Sequence, residues 1–493
     1  MNALFSVVIQ PVGLAWLVAS AALALAALLL GSRSFKGARK SALPPLVRGI
    51  PYIGDTFQYL KLGPYFGVPH HEKHGSIYRS YLLGEQVIHV GDADACRRLL
   101  TSEHKLVEND WPFTIGTIFG QKTLAMVKGQ QHLNIRKMFL SAFSPKTNEQ
   151  YIPRITTIAE ELCAEWAAAA QLKGEHAMKA FTGKVVTELV LGFPTQFATP
   201  QMLAKQQALF DVLHNGLVAL PINLPFTAYG KALQARRAIA AIYAENIQRL
   251  TEDMDRPAEG RPVTSMQLVV RATKESSDDF YDMQFLEDTC FHLVFAGHDS
   301  SASALSMLLH YLKKEPWVMD KLRQEQTQVE SKHGRNITPE YLADMQYADA
   351  TIKEVLRLAV IINTVPKRAL TTFELCGYTI PEGFKVQVEL WKILHEDPRW
   401  LGAQGPLAPT RFNPDRWLSE DASKPGNFYA FSAGPRQCPG QGFACNEMKI
   451  LLAVLAREYD WEVDLEEPLK TFPLPVPAWG APMTFYRVNH AAS

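Results

Sequence analysis

Apolar residues recur at helical spacing over most of the chain, and this pattern predicts a mainly helical protein. The segments in which the helical period is clearest are residues 146–173, 200–216, 230–254, 283–313, 315–332 and 339–360. Two shorter stretches, 76–90 and 367–389, are rich in β-branched and aromatic residues and are predicted to form strands. Their turns are expected at Leu83-Gly84-Glu85, at Gly377 and at Pro381-Glu382-Gly383. The expected fold class is therefore mainly α with a small β portion.

One apolar segment differs from the others because it carries no charge from Val12 to Leu30. At about 1.5 Å per residue, a helix of this length approaches the roughly 30 Å of bilayer hydrocarbon. Residues 1–11 contain no charged side chain, whereas positive residues follow directly at Arg33, Lys36, Arg39 and Lys40. This order predicts one uncleaved transmembrane helix with the rest of the chain on the cytoplasmic side. A cleaved leader is the alternative. We expect the membrane to be the endoplasmic reticulum, and a plastid envelope stays open.

The segment Leu43–Asp55 has prolines at 44, 45 and 51, which cannot continue a helix and predict a stiff connector. Beyond it we find no internal repeat and no long Gly/Ser linker. The expected organisation is a membrane anchor over residues 1–31, a basic and proline-rich hinge over 32–55 and one large domain over 56–493.

Composition excludes several classes of protein. The 493 residues are 47% hydrophobic and 20% charged, which argues against intrinsic disorder. Lys plus Arg and Asp plus Glu both number 50, and a net charge of zero argues against general nucleic-acid binding. The six cysteines are scattered and form no CxxC pair, so neither a disulfide framework nor a zinc ribbon is expected.

The segment Phe431-Ser-Ala-Gly-Pro-Arg-Gln-Cys438-Pro-Gly440 presents a cysteine just before a helical pattern that starts at Phe443. Its glycines allow a tight backbone, and the start of a helix offers free amides and the positive end of the dipole. Such surroundings favour a thiolate, which is a soft ligand for iron, and an amide such as that of Gly440 can tune it. A lone cysteine is more often a small buried hydrophobe, so the argument rests on the whole spacing.

Glu354 and Arg357 lie three residues apart on a predicted helix, where their side chains share a face and can pair. Exposed pairs of this kind contribute little to stability. This pair is embedded in an otherwise apolar helix, which favours a buried structural role.

The segment Ala296-Gly-His-Asp-Ser-Ser301 lies within a long predicted helix. Glycine inside a helix costs about 1 kcal/mol relative to alanine, so Gly297 suggests close approach of a flat cofactor or O₂. The Ser300 hydroxyl can bond the Ala296 carbonyl and open a turn to water, and Asp299 beside it is a proton source. An ordinary close-packed helix crossing is the alternative. His298 is interpreted as helix packing or an edge of the substrate pocket, and not as a metal ligand.

These segments together resemble the cytochromes P450 from the hinge to the end of the Cys438 helix. The cysteine loop is similar to the family's haem-binding loop, and Glu354-x-x-Arg357 to its Glu-x-x-Arg motif. Asp299 and Ser300 resemble its acid–alcohol pair, with serine where most members have threonine. The resemblance implies the P450 fold, preceded here by one N-terminal transmembrane helix, and haem b (iron protoporphyrin IX) with Cys438 as axial iron ligand.

The resemblance also implies roles for further residues. Asp299 and Ser300 would be catalytic and deliver protons. Arg416, in Pro414-Asp-Arg-Trp417, would join Glu354 and Arg357 in a buried ionic network. The segment Gly129–Lys137 resembles one that usually reads Trp-x-x-x-Arg, with histidine in place of tryptophan. Residues expected to bind the cofactor are Cys438, His132, Arg136, Arg368, Arg436, Gly297, Phe431 and Gly440; among these, His132 and the arginines would hold the two haem propionates.

The expected activity is monooxygenation, because the resemblance implies O₂ and electrons from NADPH through a cytochrome P450 reductase. The segments Trp111-Pro-Phe, Ala142-Phe-Ser and Ala296–Ser303 further resemble retinoic-acid hydroxylases and plant brassinosteroid and triterpenoid oxidases. We therefore expect a lipophilic isoprenoid substrate, a sterol, triterpenoid or retinoid, and membrane and reductase as partners, with no nucleic acid. The alternatives are a reductase-independent isomerase or dehydratase of P450 fold and a non-catalytic haem sensor or binder.

Overall fold

The computed structural model describes residues 43–47, 49, 54–62, 66–82, 84–169, 171–217, 219–253, 262–396, 409–418, 428–471 and 474–488. This part of the chain is mainly helical, as the apolar period predicted. The helices are α1 Thr56–Leu62, α2 Gly67–His74, α3 Ala93–Thr101, α4 Phe113–Phe119, α5 Gly129–Ala142, α6 Pro145–Ala168, α7 Gly174–Val185, α8 Pro200–Leu217, α9 Ala228–Glu252, α10 Ser265–Lys274, α11 Met283–Val294, α12 Ser300–Lys314, α13 Pro316–His333, α14 Pro339–Asp344, α15 Gln346–Ala359, α16 Leu390–Glu396 and α17 Gln441–Glu458.

The strands form one larger sheet and several small ones. They are β1 Ile77–Leu82, β2 Glu85–Val90, β3 Val107–Asn109, β4 Leu172–Lys173, β5 Thr364–Ala369, β6 Phe373–Leu375, β7 Tyr378–Ile380, β8 Lys385–Glu389, β9 Tyr459–Val463, β10 Leu469–Lys470, β11 Val476–Pro477 and β12 Pro482–Arg487. The larger sheet has the order β1-β2-β8-β5-β3, with β2 and β8 parallel and its other pairs antiparallel. The hairpin at 76–90 and the strands at 367–389 are confirmed.

The predicted helix over 339–360 is two helices. The break lies at Met345, where ψ is 68°, and a carboxylate from α13 stabilises it. Glu325 accepts the backbone N–H groups of Tyr347 and Ala348, which have no carbonyl partner in the first turn of α15. This cap comes from a distant part of the chain, so local periodicity could not predict it.

The segment from α11 to α12 is the central helix of the large core. Every residue from 301 to 310 is buried, so this helix is enclosed on all sides. Between α11 and α12 the helix widens into a π turn, Phe295–Asp299. A second π turn, Val186–Val190, follows α7 and packs near it. The larger sheet has its own core, formed with α3 and α16.

The predicted anchor over Val12–Leu30, with most of the hinge, falls outside the described residues. In the part of the chain that is described, no helix combines the length and apolar character that crossing a bilayer requires.

Candidate active site

The cysteine loop is a tight turn that delivers Cys438 to the start of α17. Its ends are joined by a hydrogen bond from the Cys438 amide to the Phe431 carbonyl at 2.9 Å. Gly434 has a φ of 66°, and a Cβ there would come within 2.6 Å of the Leu100 carbonyl, so glycine is required. At Gly440 a Cβ would lie 3.9 Å from Cys438 Sγ, an ordinary contact, so this position lies beside the sulfur without requiring glycine.

Cys438 is an exposed residue, yet its thiol is largely surrounded by protein. Burial raises the pKa of the Cys438 thiol, while the Gly440 amide and the Arg136 guanidinium act in the opposite direction and favour the thiolate. The sequence led us to expect a thiolate stabilised by the loop and by the start of the helix that follows it. The structure shows that desolvation is the larger effect, so the loop supplies donors that only partly offset it; a coordinated metal cation deprotonates a thiol outright.

Helix α5 lies against this loop. Arg136 donates to the Gln437 carbonyl at 2.6 Å. His132, one turn earlier, is fully buried and its Nδ1 lies 3.2 Å from His104 Nε2. Burial and the nearby Arg436 lower the pKa of His132 to about 3, so its ring is neutral at pH 7. His132 Nε2 is buried without a hydrogen-bond partner among the described residues, which is the state expected of a group that meets a ligand.

The structure does not bring Arg368 to this cluster. Strand residues alternate between faces, and on β5 the buried positions are Val365, Lys367 and Ala369. Arg368 faces the other way and pairs with Asp110 at 2.7 Å. Lys367 is fully buried and donates to Glu103 at 2.6 Å. Sequence reasoning chose the arginine over the neighbouring lysine and missed Lys367; the alternation of apolar residues along β5 was the signal that could have identified it.

Glu103 joins Lys367 to Arg436. Its Oε1 accepts Arg436 Nε at 2.8 Å, and the remaining Arg436 nitrogens donate to the Leu124 and Val127 carbonyls. Burial raises the pKa of Glu103, but Lys367 and Arg436 outweigh it and hold that pKa below its usual value. Arg136, Lys367 and Arg436 with this carboxylate give the cluster a net charge of +2. That charge matches the two carboxylates of a haem, and with the exposed Cys438 it fits such a group.

The structure brings Glu354, Arg357 and Arg416 together in a buried network. Arg357 donates to both Glu354 oxygens, at 2.9 and 2.8 Å, and Arg416 donates at 3.2 Å. The Trp417 indole, from the predicted partner segment, and the backbone N–H of Asn413, just before that segment, donate to the same carboxylate at 2.9 and 3.1 Å. A carboxylate with this many donors fixes α15 to the irregular segment that precedes the cysteine loop.

The π turn Phe295–Asp299 carries the remaining predicted residues. Ser300 donates to the Ala296 carbonyl at 2.5 Å, so the predicted hydrogen bond and opened turn are present. Ala296 is exposed and its neighbours Phe295 and Gly297 are half-buried, whereas residues 301–310 are all buried. A Cβ at Gly297 would lie 3.3 Å from Val186, so this glycine serves the close packing of two helices. Asp299 and His298 are buried and pair with each other at 3.0 Å.

A mainly helical fold with a small sheet, an accessible cysteine before a helix and a cation cluster beside it define a haem-thiolate type of protein. Comparison with known proteins agrees, since the model of the family described as Cytochrome P450 matches residues 44–483. Cytochrome P450 26A1 of Danio rerio is 32% identical over 458 residues, which are 90% of this chain and 91% of the relative. This chain belongs to the cytochrome P450 family, and it is a monooxygenase whose family cofactor is a haem iron.

Two further similarities bear on the substrate. Abscisic acid 8'-hydroxylase 1 of Arabidopsis thaliana is 26% identical over 465 residues, which are 93% of this chain and 94% of the relative. The solved structure of a retinoic acid-bound cyanobacterial CYP120A1 superposes with a TM-score of 0.80 at 26% identity. It covers 91% of this chain and 99% of that one.

Proposed function

We propose that this protein hydroxylates a lipophilic isoprenoid, with haem b as cofactor and with electrons from NADPH supplied by a cytochrome P450 reductase. The observation that carries the proposal is the exposed Cys438, with the Gly440 amide and the charge of the nearby Arg136 favouring its thiolate. When bound, the haem iron with its thiolate ligand supplies activation of O₂ and oxidation of an unactivated C–H bond.

Residues of the cysteine loop and of the cation cluster beside it would bind the cofactor. Cys438 would be the axial ligand, and its loop, including Phe431 and Gly440, would hold the cofactor's proximal face. Arg136, Lys367 and Arg436 would bind the propionates, with His132 Nε2 as an additional donor. Arg368, paired with Asp110 at the surface, is no longer among the proposed cofactor ligands.

Asp299 and Ser300 would deliver protons. Ser300 hydrogen bonds to Ala296 at the exposed part of the π turn, where water can approach its hydroxyl. Asp299 lies directly before it on the other side of the helix, among buried polar groups. In this arrangement protons would pass from the buried Asp299 to Ser300, at the exposed part of the π turn where substrate would bind.

The two similarities favour one class of isoprenoid. Abscisic acid and retinoic acid are both isoprenoid carboxylic acids that carry a substituted cyclohexene ring. The loop that contains Pro475 contacts the central helix, because Ser303 donates to the Pro475 carbonyl at 2.5 Å. This places a mainly apolar loop beside the segment that carries Ala296 and Ser300, as binding of a lipophilic ring requires.

A spin-state titration followed by turnover tests this function. Purified, haem-loaded protein is titrated with retinoic acid, abscisic acid, a sterol and lauric acid, the last being an acid of similar size with no isoprenoid skeleton. We expect a substrate-type spectral shift with at least one isoprenoid and none with lauric acid. A product heavier by one oxygen should then form only with reductase, NADPH and O₂. Product without NADPH would instead support an isomerase or dehydratase.

We also propose that Val12–Leu30 anchors the protein in a membrane, with residues 56–493 on the cytoplasmic side. The support is the length of this uncharged segment and the positive residues that follow it. An alkaline carbonate wash of membranes tests the anchor. The full chain should remain in the pellet, whereas a variant with Leu23→Arg and Leu25→Arg should be released. Release of the unaltered chain would contradict the anchor.

A further inference from the structure

The Asp299 carboxylate is buried between two histidines that belong to different helices. Its Oδ1 lies 3.0 Å from His298 Nδ1, and its Oδ2 lies 3.3 Å from His214 Nε2 on α8. Ser300 turns its hydroxyl to the Ala296 carbonyl, and no hydrogen bond between the described residues joins Ser300 to Asp299. The contacts of the carboxylate are therefore made with the histidines, on the side where α7 and α8 pack.

The hydrogen bonds of His298 determine how many protons this site holds. Its Nε2 lies 3.0 Å from the Lys179 carbonyl, which can only accept, so Nε2 carries a proton. Nδ1 faces the Asp299 carboxylate, and this contact needs a second proton, shared by ring and carboxylate. Burial raises the pKa of Asp299, but His298, His214 and Lys179 outweigh it and lower that pKa. The two hydrogen bonds therefore place one proton at Nε2 and one between Nδ1 and the carboxylate.

The position of the His298 ring is fixed by the neighbouring helix. A Cβ at Gly183 of α7 would lie 3.2 Å from the ring, so glycine leaves just enough room for it. Thr182, the residue before it, donates to the His298 carbonyl at 3.2 Å. Helix α7 therefore contacts His298 at its ring, through the Lys179 carbonyl, and at its backbone carbonyl, through Thr182.

His214 is the second partner of the buried carboxylate, and part of its side chain is exposed. Its Nε2 and Asp299 Oδ2 are buried, and neither has a hydrogen-bond partner among the described residues. The side chain as a whole is 18% exposed, so the exposed part of the ring lies away from Nε2. Burial lowers the pKa of His214, which Asp299 and Asp211 offset in part. The charge on α7 that acts on Asp299 is Lys179, which pairs with Glu175 of the same helix at 2.9 Å and lies 3.8 Å from Asp211.

We propose that His214 and His298 are positioning residues for proton delivery, with His214 as the group that reloads Asp299 from solvent. The inference rests on the proposed function and names where its protons come from. His298, held by α7, keeps Asp299 ionised and oriented, and His214, carried by α8, passes protons to it. Because the two histidines are on different helices, the supply depends on the distance between α8 and the π turn.

The step moves one proton and no electrons. Ionised Asp299 takes the proton of His214 Nε2 on its Oδ2 while Nδ1 of the same ring takes a proton from water, so the ring stays neutral. Asp299 then passes its proton toward Ser300 and is ionised again, and the ring rotates to present an N–H to the carboxylate. Each cycle transfers a proton from solvent through the buried acid, and both groups return to their starting state.

His214→Gln tests the proposal, because glutamine retains a hydrogen-bond donor but cannot carry a proton through a ring. The matched control is His176→Gln, the same change at an exposed position of α7. On full-length, haem-loaded protein, we expect His214→Gln to lower product formed per NADPH roughly tenfold and to release peroxide. Its solvent deuterium isotope effect on kcat should rise, since proton supply becomes slow, and His176→Gln should match the unaltered enzyme.

Nitrogen-15 spectra of histidine-labelled protein in the diamagnetic ferrous carbon monoxide complex give a second readout. The His298 signals, assigned by their loss in His298→Gln, should show both ring nitrogens in hydrogen bonds, as the contacts with Asp299 and the Lys179 carbonyl require. A His214→Gln variant with normal yield and isotope effect, or a His298 ring nitrogen without a hydrogen bond, would overturn the inference while the carbon monoxide spectrum still supports a P450. Absence of that spectrum from the unaltered protein would instead overturn the proposed function.

Discussion

At the scale of single residues, Glu447 is a carboxyl placed where ionisation is costly. It lies on α17, nine residues after Cys438, and is completely buried. Neither of its oxygens has a hydrogen-bond partner among the described residues. Burial raises the pKa of Glu447 to about 8, and the nearby Ser301 hydroxyl offsets this only in part. The folded protein therefore holds a neutral carboxyl here at pH 7.

This carboxyl predicts that stability falls as pH rises. The folded state keeps a proton that the unfolded state loses above about pH 4.5, so the loss of stability accumulates up to about pH 8. The total is about 4 to 5 kcal/mol. Glu447→Gln removes this dependence, and urea unfolding at pH 5 and pH 8 measures it. From pH 5 to pH 8, the free energy of unfolding should fall less for the variant than for the unaltered protein. An equal fall in both proteins would contradict the buried neutral carboxyl.

A second residue-scale prediction compares neighbours on β5. Lys367→Met removes a buried cation from the cluster that would face the propionates, and Arg368→Met removes one that pairs with Asp110 near the surface. We expect Lys367→Met to lower haem retention and to cost roughly 3 to 5 kcal/mol, because Glu103 loses a buried partner. Arg368→Met should change stability by about 1 kcal/mol or less.

Haem content per folded protein, with folding checked by circular dichroism, distinguishes these two variants. Equal haem content would contradict the assignment of Lys367, and loss only in Arg368→Met would restore the role that the sequence led us to expect for the arginine.

At the scale of elements, the long helices follow from the sequence because their apolar period repeats over many turns. The helix at 283–313 and the one after Cys438 are found where the pattern predicts them. The sheet β4-β12-β9 was not predicted. Its strand β4 has two residues, and β12 pairs with it from about 300 positions away along the chain. Pairing over such a distance leaves no local signal.

The π turn before α12 could also be predicted only in part, because its neighbours come from a distant segment of the chain. Gly297 and Ser300 indicated an irregular turn, but the neighbours of that turn come from α7 and could not be known. The same holds for the site, where the sequence identified Arg136, Arg436 and Cys438 but neither Lys367 nor Glu103. That carboxylate becomes part of the cluster only when β3 and β5 pair and α3 packs beside them.

Ser300→Ala tests the role of this element. Alanine cannot donate to the Ala296 carbonyl, so water loses a hydroxyl that can guide a proton. We expect NADPH consumption to continue with more peroxide and less product. Stability should rise slightly, by about 0.5 kcal/mol, because alanine is the better helix former. Ser300→Thr is the control and should keep full coupling. Tightly coupled product formation by Ser300→Ala would contradict the assigned role.

At the scale of the whole molecule, one buried carboxylate joins parts of the chain that are far apart in sequence. Glu389 accepts His71 Nε2 and His89 Nδ1, both at 2.7 Å, from segments about 300 residues earlier. The Tyr78 hydroxyl and the Trp391 indole complete its hydrogen bonds at 3.3 and 3.2 Å. Helix α2 is thereby fixed to the strands β1, β2 and β8. The histidine positions carried no sequence signal, because their partner is known only once the sheet has formed.

Burial raises the pKa of Glu389, but the two histidines outweigh it and lower that pKa to about 2. A depressed acid contributes stability that is complete above its unfolded pKa of about 4.5 and is lost as pH falls toward 2. Glu389→Gln should therefore cost about 3 kcal/mol at pH 7, and the difference from the unaltered protein should shrink below pH 4.5. Tyr78→Phe removes only the longest of the four bonds, so it should cost about 1 kcal/mol or less. Urea unfolding followed by circular dichroism measures both, and equal costs for the two variants would contradict a charged Glu389 at the centre of this network.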